Sequence, residues 1–224
     1  MKKVFLKKCH SLLRIAGSTL ILLTMLQTSI FAQQKQGHSN PEVRAGEKAL
    51  LDGDFKNAVQ HLSKAVKNED SDPDVVYLLG YSQYQTQDYK NAITSFEKAI
   101  ALDKSNTNAY YYKGMIYNNM ANMDADKLSA SERESLLNKA IEDYSSAIKV
   151  SKNDIKLYQN RGLAFRDLGI LKGTKGLDQY NKTAAENAYD KAIADFEKVL
   201  SIDASRKDIQ TELKKATVYK SSLN

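Results

Sequence analysis

Four stretches of this chain repeat one spacing of apolar residues, and this repeat limits the possible fold more than any other feature. In each stretch, apolar residues stand at positions i, i+1, i+4, i+7 and i+8, with a large side chain at the centre. The stretches are residues 58–66, 92–100, 140–148 and 192–200. Such spacing places the apolar residues in one stripe along an α-helix. The small residues of the stripe let a neighbouring helix approach, and the large residue fills the gap between them.

A glycine recurs upstream of each stretch and marks a second helix. A glycine inside a helix is less favourable than alanine by about 1 kcal/mol, so its recurrence needs a reason, and close contact between helices supplies one. The first three glycines are 34 residues apart, and so are the first two stretches. The repeated structural positions are Gly46, Ala58, Gly80, Ala92, Gly114, Ala140, Gly162 and Ala192. The pattern predicts pairs of packed helices that repeat along the chain.

At these positions the chain resembles the tetratricopeptide repeat family over residues 39–206. The 34-residue unit of that family has a small residue at its eighth position, alanine at the twentieth, an aromatic residue at the twenty-fourth and alanine at the twenty-seventh. The resemblance implies an all-α fold, a right-handed α-solenoid of four helix-turn-helix units. The units expected are residues 39–72, 73–106, 107–154 and 155–206, and a C-terminal helix over residues 207–222 is expected to cover the last unit.

The third and fourth units are longer than the first two. The glycine and the alanine of a unit are 12 residues apart in the first two units, but 26 and 30 apart in the third and fourth. The additional residues fall within 121–135 and 169–186, between the two helices of each unit. Each insertion contains a capping-box pattern, Ser131 with Glu134 and Thr183 with Glu186. The insertions are interpreted either as lengthened helical hairpins or as disordered surface loops, and the sequence leaves both open.

Residues 1–32 have the three parts of a secretory signal peptide. Basic residues up to Arg14 precede an apolar stretch, and Ala32 is followed by a polar run. Cleavage is favoured over an uncleaved membrane anchor, because polar residues interrupt the apolar stretch and make it marginal for crossing a bilayer. Residues 33–38 form a short linker in this interpretation. The only cysteine, Cys9, lies in the leader, so neither disulfides nor a cysteine-based metal site is expected in the mature chain.

The charge of the chain gives no reason to expect nucleic acid as a partner. The formal net charge is +6, but the leader carries five basic residues and no acidic ones. The remainder has 28 basic groups against 27 acidic ones and is nearly neutral. A phosphate-rich partner requires an excess of positive charge. A membrane is expected as a partner only if the leader is not removed.

The family resemblance also implies a binding surface. In the family, the partner-facing positions are the fifth, ninth and twelfth of each unit, on the first helix. From the second unit onward these positions hold Tyr77, Tyr81, Tyr84, Tyr111, Met115, Asn118, Gln159, Leu163 and Arg166. Tyrosine offers a large contact area and a hydroxyl group at little loss of rotamer entropy, which suits peptide recognition. The alternative, which the sequence leaves open, is that some of these rings pack between adjacent units.

No arrangement of residues in the sequence indicates catalysis. The motifs of a phosphate-binding loop, a zinc protease helix or a serine nucleophile elbow do not occur. His61, next to the apolar stripe of its helix, is interpreted as a surface histidine rather than a catalytic one. We therefore expect no catalytic residue, no metal, no cofactor and no small-molecule substrate.

These features predict a non-catalytic interaction scaffold of the cell envelope, periplasmic in a Gram-negative bacterium. Its expected partner is a protein or peptide held in the groove lined by tyrosines. The alternative is a structural subunit of a larger envelope or secretion assembly, which docks through the inserted hairpins of the third and fourth units. An enzyme built on these helices ranks last, because no nucleophile, base or metal set is visible.

Overall fold

The computed structural model describes residues 38–66, 72–123 and 127–223, and every regular element in these ranges is an α-helix. The helices are α1 (Pro41–Leu51), α2 (Phe55–Ala65), α3 (Pro73–Gln85), α4 (Tyr89–Leu102), α5 (Thr107–Met123), α6 (Ala130–Val150), α7 (Ile155–Gly173), α8 (Lys182–Ile202) and α9 (Lys207–Ser221). The predicted signal peptide lies outside the described residues and stays a prediction. In the ranges described, none of the helices has both the length and the apolarity that crossing a membrane requires.

Residues 45–224 form one compact unit, in which helices stack in sequence order. From α2 to α9, each helix packs against the next along the chain. The odd-numbered helices α3, α5, α7 and α9 also contact one another in turn, whereas no such contacts join the even-numbered helices within the described residues. The odd-numbered helices therefore form the more closely spaced layer, which is the inner layer of a curved stack. The expected all-α solenoid is confirmed.

The helices begin where side chains can satisfy the free N–H groups of the first turn. Asp54 accepts a hydrogen bond from the backbone N–H of Asn57 at 3.2 Å, and Asp154 accepts one from Lys156 at 3.0 Å. Asp72 caps α3 in the same way and is followed by Pro73, whose missing N–H is no loss at a first helical position. Each such cap contributes about 1 kcal/mol.

The recurring glycines lie where the large residue of the next helix presses on the first helix. A Cβ atom on Gly80 would stand 2.8 Å from the ring of Phe96, and one on Gly162 would stand 2.7 Å from the ring of Phe196. The third pair is formed with Tyr144, whose ring would lie 2.9 Å from a Cβ atom on Gly114. These distances are shorter than real carbon atoms adopt, so only glycine allows the two helices to pack this closely.

Both insertions are lengthened helical hairpins in the described residues, not loops. The extended ends of α5, α6 and α7 share a small apolar core of Ala121, Leu137 and Leu171. Two polar contacts also join them. Lys172 Nζ lies 2.6 Å from Glu134 Oε2, and Asn122 Nδ2 donates to Asp167 Oδ2 at 3.0 Å.

The two capping boxes predicted in the insertions are wrong. The box at the start of α6 is formed by Ser129 and Glu132, two residues earlier than predicted. At the start of α8 the cap is Asn181, which accepts a hydrogen bond from the N–H of Ala184. Glu134 binds Lys172 of α7 instead of its own helix terminus. The carboxylate that the local pattern assigned to a helix cap thus forms an ion pair between two helices.

The first two units turn through the same backbone conformation with different residues. Gly53 and Gln87 are 34 residues apart, and both have positive φ, 74° and 62°. Their N–H groups donate to the carbonyls of Leu50 and Tyr84 at 3.1 and 3.0 Å, so the two turns are equivalent. A left-handed conformation is strained for glutamine but not for glycine.

We expect Gln87→Gly to raise the free energy of unfolding by about 0.5–1 kcal/mol. Relief of left-handed strain, roughly 1–2 kcal/mol, outweighs the added freedom of the unfolded chain, about 0.4–1 kcal/mol. Urea denaturation followed by circular dichroism measures the change. The reverse substitution Gly53→Gln should lower stability by a similar amount, and a loss of stability in Gln87→Gly would contradict the interpretation.

Candidate functional site

Five tyrosines of α3 and α5 form one aromatic cluster on the inner layer, which we call the tyrosine cluster. Its members are Tyr77, Tyr81, Tyr84, Tyr111 and Tyr112. The ring of Tyr112 lies at its centre, with centroids 5.2 Å from Tyr81, 5.3 Å from Tyr84 and 5.2 Å from Tyr111. Tyr77 lies 6.4 Å from Tyr81, on the same face of α3, and 6.3 Å from Tyr112. The structure thus brings together all four tyrosines predicted for the binding surface.

Tyr112, the central ring, was not among the residues predicted from the sequence. The residues at the matching place in the neighbouring units are Leu78 and Asn160, so no periodic signal marks the position. The available signal was local, since Tyr110, Tyr111 and Tyr112 are consecutive. Three adjacent tyrosines on a helix point in three directions, and at least one of them must face a neighbouring helix.

The cluster packs between units and also keeps part of its surface exposed. Tyr77 contacts Phe96, the large core residue of its own unit, at a centroid distance of 6.0 Å, and it also contacts Tyr112 of the next unit. All five rings are half-buried rather than buried. Both interpretations of the sequence therefore apply to the same side chains, which join two units and face solvent.

Burial raises the pKa of several hydroxyl groups in the cluster. Burial raises the pKa of Tyr77 and Tyr84, and it raises the pKa of Tyr112 to about 12. Neighbouring tyrosines add to each rise, because a phenolate would be close to other phenolates. The hydroxyl groups of these three rings are neutral at pH 7, and each can donate and accept a hydrogen bond.

An apolar cavity of about 420 Å³ adjoins the cluster between α1 and α3. Tyr77 and Tyr81 form one wall, and Leu50 and Leu51 form the other. Leu51 is 88% exposed. Glu47 supplies a charge at the rim. A cavity of this size with few polar groups can hold one or two apolar side chains of a ligand.

The predicted residues of the fourth unit do not belong to the tyrosine cluster. Gln159 accepts a hydrogen bond from Arg206 at 2.7 Å, and Leu163 packs into the core beneath α9. Arg166 forms ion pairs with Asp167, at 2.6 Å, and with Glu212 of α9. The C-terminal helix and the residue before it, Arg206, therefore contact all three side chains within the chain itself.

The two remaining predicted residues lie in the third unit, beside the cluster. Met115 packs against the core around Tyr144. Asn118 is half-buried, and the described residues provide no hydrogen-bond partner for its side-chain oxygen. The nine residues predicted from the sequence thus divide into three groups: four tyrosines in the cluster, Met115 and Asn118 beside it, and three residues that contact the C-terminal region in the fourth unit.

The described residues contain no group of three or more histidine, cysteine, aspartate or glutamate side chains that could hold a metal ion.

Comparisons with known proteins agree with this architecture. A family model described as anaphase-promoting complex, cyclosome, subunit 3 (ANAPC3) matches residues 50–125. None of the curated proteins matches the sequence. A crystal structure of MamA is 26% identical to the chain, covers 70% of it and 77% of MamA, and has a TM-score of 0.51.

Two further structures share the fold at lower identity. MamA from Desulfovibrio magneticus RS-1 is 16% identical over 83% of this chain and 95% of that chain, with a TM-score of 0.56. YrrB, described as a TPR protein with an unusual peptide-binding site, is 18% identical over 76% of this chain and 71% of that chain, with a TM-score of 0.54. The repeated glycine contacts, the stacked helix pairs and these similarities together identify the chain as a tetratricopeptide repeat protein.

Proposed function

We propose that the chain is a non-catalytic protein-interaction scaffold that binds a peptide segment of a partner across the tyrosine cluster. One observation carries the proposal: five half-exposed tyrosines adjoin an apolar cavity on the inner helix layer. Tyrosines combine wide apolar contact with hydrogen-bonding hydroxyls, and they are enriched among residues that dominate binding energy. A peptide placed along α3 and α5 could insert an apolar side chain beside Leu51 and bind the hydroxyl groups through its backbone.

The comparison with YrrB supports the class of ligand. That protein is described as having a peptide-binding site, and it shares the fold of this chain. The similarity does not locate a site here, so the tyrosine cluster as the binding surface rests on its own geometry. The leader in residues 1–32 supports a further part of the proposal, export to the envelope of a Gram-negative bacterium.

We expect Tyr77→Ala combined with Tyr111→Ala to weaken partner binding at least about 30-fold, since two central aromatic anchors contribute on the order of 2 kcal/mol or more together. The measurement is affinity capture from envelope extract with the full chain as bait, followed by mass spectrometry and by titration of the captured protein. A partner retained by the parent chain and lost by the double variant would establish the surface.

A matched control is the pair Tyr180→Ala and Tyr219→Ala, which removes two tyrosines that lie outside the cluster and are 39% and 38% exposed. It should capture the partner as well as the parent does. Because the cluster also joins two units, Leu51→Asp provides a variant at an exposed side chain that leaves the core intact and places a charge in the apolar cavity. Equal capture by the parent, the double variant and Leu51→Asp would contradict the proposed surface.

A second candidate function is that of an assembly subunit that docks through the inserted hairpins. The observation in its favour is that the two hairpins share a small apolar core and an ion pair between Glu134 and Lys172. They therefore pack against each other and present one continuous surface. Equal capture by all variants of the cluster would favour this function. It would then be tested at the exposed hairpin residue Met123, by Met123→Glu.

A further inference from the structure

The fourth unit encloses one of its own guanidinium groups in a polar site between helices. Arg161 Nε donates to Asp195 Oδ2 at 2.8 Å, and its Nη2 donates to Oδ1 at 2.7 Å. Its Nη1 donates to Ser145 Oγ of the preceding unit at 3.1 Å. The guanidinium carbon lies 5.6 Å from the ring centre of Tyr158 and 5.9 Å from that of Phe165. Carboxylate, hydroxyl and aromatic groups thus satisfy one planar cation.

The third unit has the same site at equivalent positions. Tyr110, Lys113 and Tyr117 stand 48 residues before Tyr158, Arg161 and Phe165. Lys139 and Asp143 stand 52 residues before Lys191 and Asp195. The equivalence extends to geometry, because Lys139 lies over the ring of Tyr117 at 5.3 Å and Lys191 lies over that of Phe165 at 5.3 Å.

The third unit differs in that a lysine replaces the arginine. Lys113 Nζ lies 3.2 Å from Asp143 Oδ1, and the described residues provide no hydrogen-bond partner for the other oxygen, Oδ2. The Asp143 side chain is only 8% exposed. An unpaired oxygen on a buried carboxylate is unfavourable, because it has lost its contact with water and has gained no donor in exchange. In the fourth unit the forked guanidinium satisfies both oxygens of Asp195.

A cavity of about 420 Å³ opens beside this carboxylate. Its walls include Asp143, Lys113 and the side chains of Tyr110 and Tyr117. Such a volume is sufficient for a small ligand or for one long side chain. The unit with the shorter cation is therefore also the unit that leaves space next to the carboxylate.

The charges around the cavity favour a cation over an anion. The equivalent set in the fourth unit holds three cations and one carboxylate, Arg161, Lys191, Lys198 and Asp195. Around the cavity of the third unit, Ser146 stands in place of Lys198, and Glu142 and Glu97 of the second unit add two carboxylates. The net charge of the set falls from +2 to −1 between the two units. An anion would face three carboxylates there, whereas a cation with one positive charge would bring the net charge of the set to zero.

We propose that the cavity of the third unit binds a guanidinium group supplied from outside the chain, paired with the carboxylate of Asp143 beside Lys113 and placed between Tyr110 and Tyr117. The group supplies the guanidinium donors that Arg161 supplies to Asp195 in the fourth unit. It belongs either to an arginine side chain of a partner protein or to a free guanidinium compound. The site does not depend on the tyrosine cluster, since Tyr110, Lys113 and Tyr117 share one face of α5, and Tyr111 and Tyr112 lie on the others.

The pKa of Asp143 indicates that Lys113 alone does not fully stabilise its ionised carboxylate. Burial raises the pKa of its carboxyl group to about 6, and Lys113 only partly counteracts this rise. A second cationic donor at this carboxylate would favour the ionised form and lower the pKa.

The test compares the full chain with its Lys113→Arg variant in binding a capped pentapeptide, Ala-Ala-Arg-Ala-Ala, by isothermal titration calorimetry. The parent should bind the peptide, and Lys113→Arg should bind it at least about tenfold more weakly, because its own guanidinium fills the site as Arg161 does. The variant should also unfold at a higher temperature, which shows that the loss of binding is not a loss of folding. Equal binding by the two proteins would overturn the proposal.

Three further arms define the ligand. The same peptide with citrulline in place of arginine keeps the shape without the charge, and equal binding of this peptide would overturn the proposal. A lysine peptide that bound as tightly as the arginine peptide would overturn the choice of guanidinium. Free L-arginine distinguishes the sources: binding as tight as that of the peptide supports a free guanidinium compound, and weaker binding supports a protein partner. Lys104→Arg, an exposed lysine outside the cavity, is the matched control and should bind like the parent.

Discussion

Replacing Arg161 by leucine is expected to lower the free energy of unfolding by about 3–5 kcal/mol. The substitution leaves the carboxylate of Asp195 without a partner while its side chain remains only 6% exposed. The variant also lacks the hydrogen bond that Arg161 donates to Ser145, which joins the fourth unit to the third. Urea denaturation followed by circular dichroism measures the change.

The loss of stability caused by Arg161→Leu should increase with pH. Burial raises the pKa of Asp195, and Arg161 lowers it, so the pKa rises further when Arg161 is absent. A carboxyl group whose pKa is higher in the folded than in the unfolded chain destabilises the folded state most when it is ionised. The deficit of Arg161→Leu relative to the parent should therefore be largest at pH 8 and should shrink as the pH falls toward the unfolded pKa, about 4.

The chain itself offers the compensating substitution. In the second unit, Leu79 and Ser95 occupy the places of Arg161 and Asp195, and both are buried without charge. The double variant Arg161→Leu with Asp195→Ser should thus recover most of the lost stability, because a serine hydroxyl can bond to a carbonyl of its own helix. As a control, Lys48→Leu breaks only the exposed pair with Asp52 and should leave the unfolding midpoint unchanged. Equal instability of the single and double variants would show that the buried charge is not the cause.

The sequence predicted the fold wherever one residue type satisfied one steric requirement. Gly80 and Gly162 are such cases, because a helix that meets a buried ring tolerates only hydrogen at that place. The inserted hairpins were less predictable. Whether Glu134 caps α6 or binds Lys172 of α7 depends on a neighbour 38 residues away, which local patterns do not contain.

The binding surface was predictable only in part for a related reason. Tyr77, Tyr81 and Tyr84 share one helical face in the sequence, and the structure keeps them together. Tyr112 has no aromatic counterpart at the matching place in the neighbouring units. Arg166 pairs with Glu212, a residue on another helix, and this contact could not be read from the local sequence. The site around Asp143 could be recognised only from the sequence and the structure together. The sequence shows that Lys113 is equivalent to Arg161, and the structure shows which contacts of Arg161 the lysine does not make.

The second large effect concerns the contact between Phe196 and Gly162. Phe196→Ala is expected to lower the free energy of unfolding by about 3–5 kcal/mol, since it empties the space of a fully buried ring. Gly162→Ala alone should lower it by about 1–2 kcal/mol. The clash of its Cβ with the ring at 2.7 Å outweighs the higher helix propensity of alanine, about 1 kcal/mol.

The sign of the second substitution should reverse once the ring is gone. In the Phe196→Ala background, Gly162→Ala meets no ring and occupies part of the cavity, so it should raise stability by about 1 kcal/mol. Gly169→Ala is the matched control, because a Cβ at that position would meet Tyr189 at 2.7 Å instead of Phe196, and its effect should be equally unfavourable in both backgrounds. The double-mutant cycle is measured by urea denaturation of the four chains. If Gly162→Ala stabilised the parent chain as well, the recurring glycines would not be required by the large residues that face them.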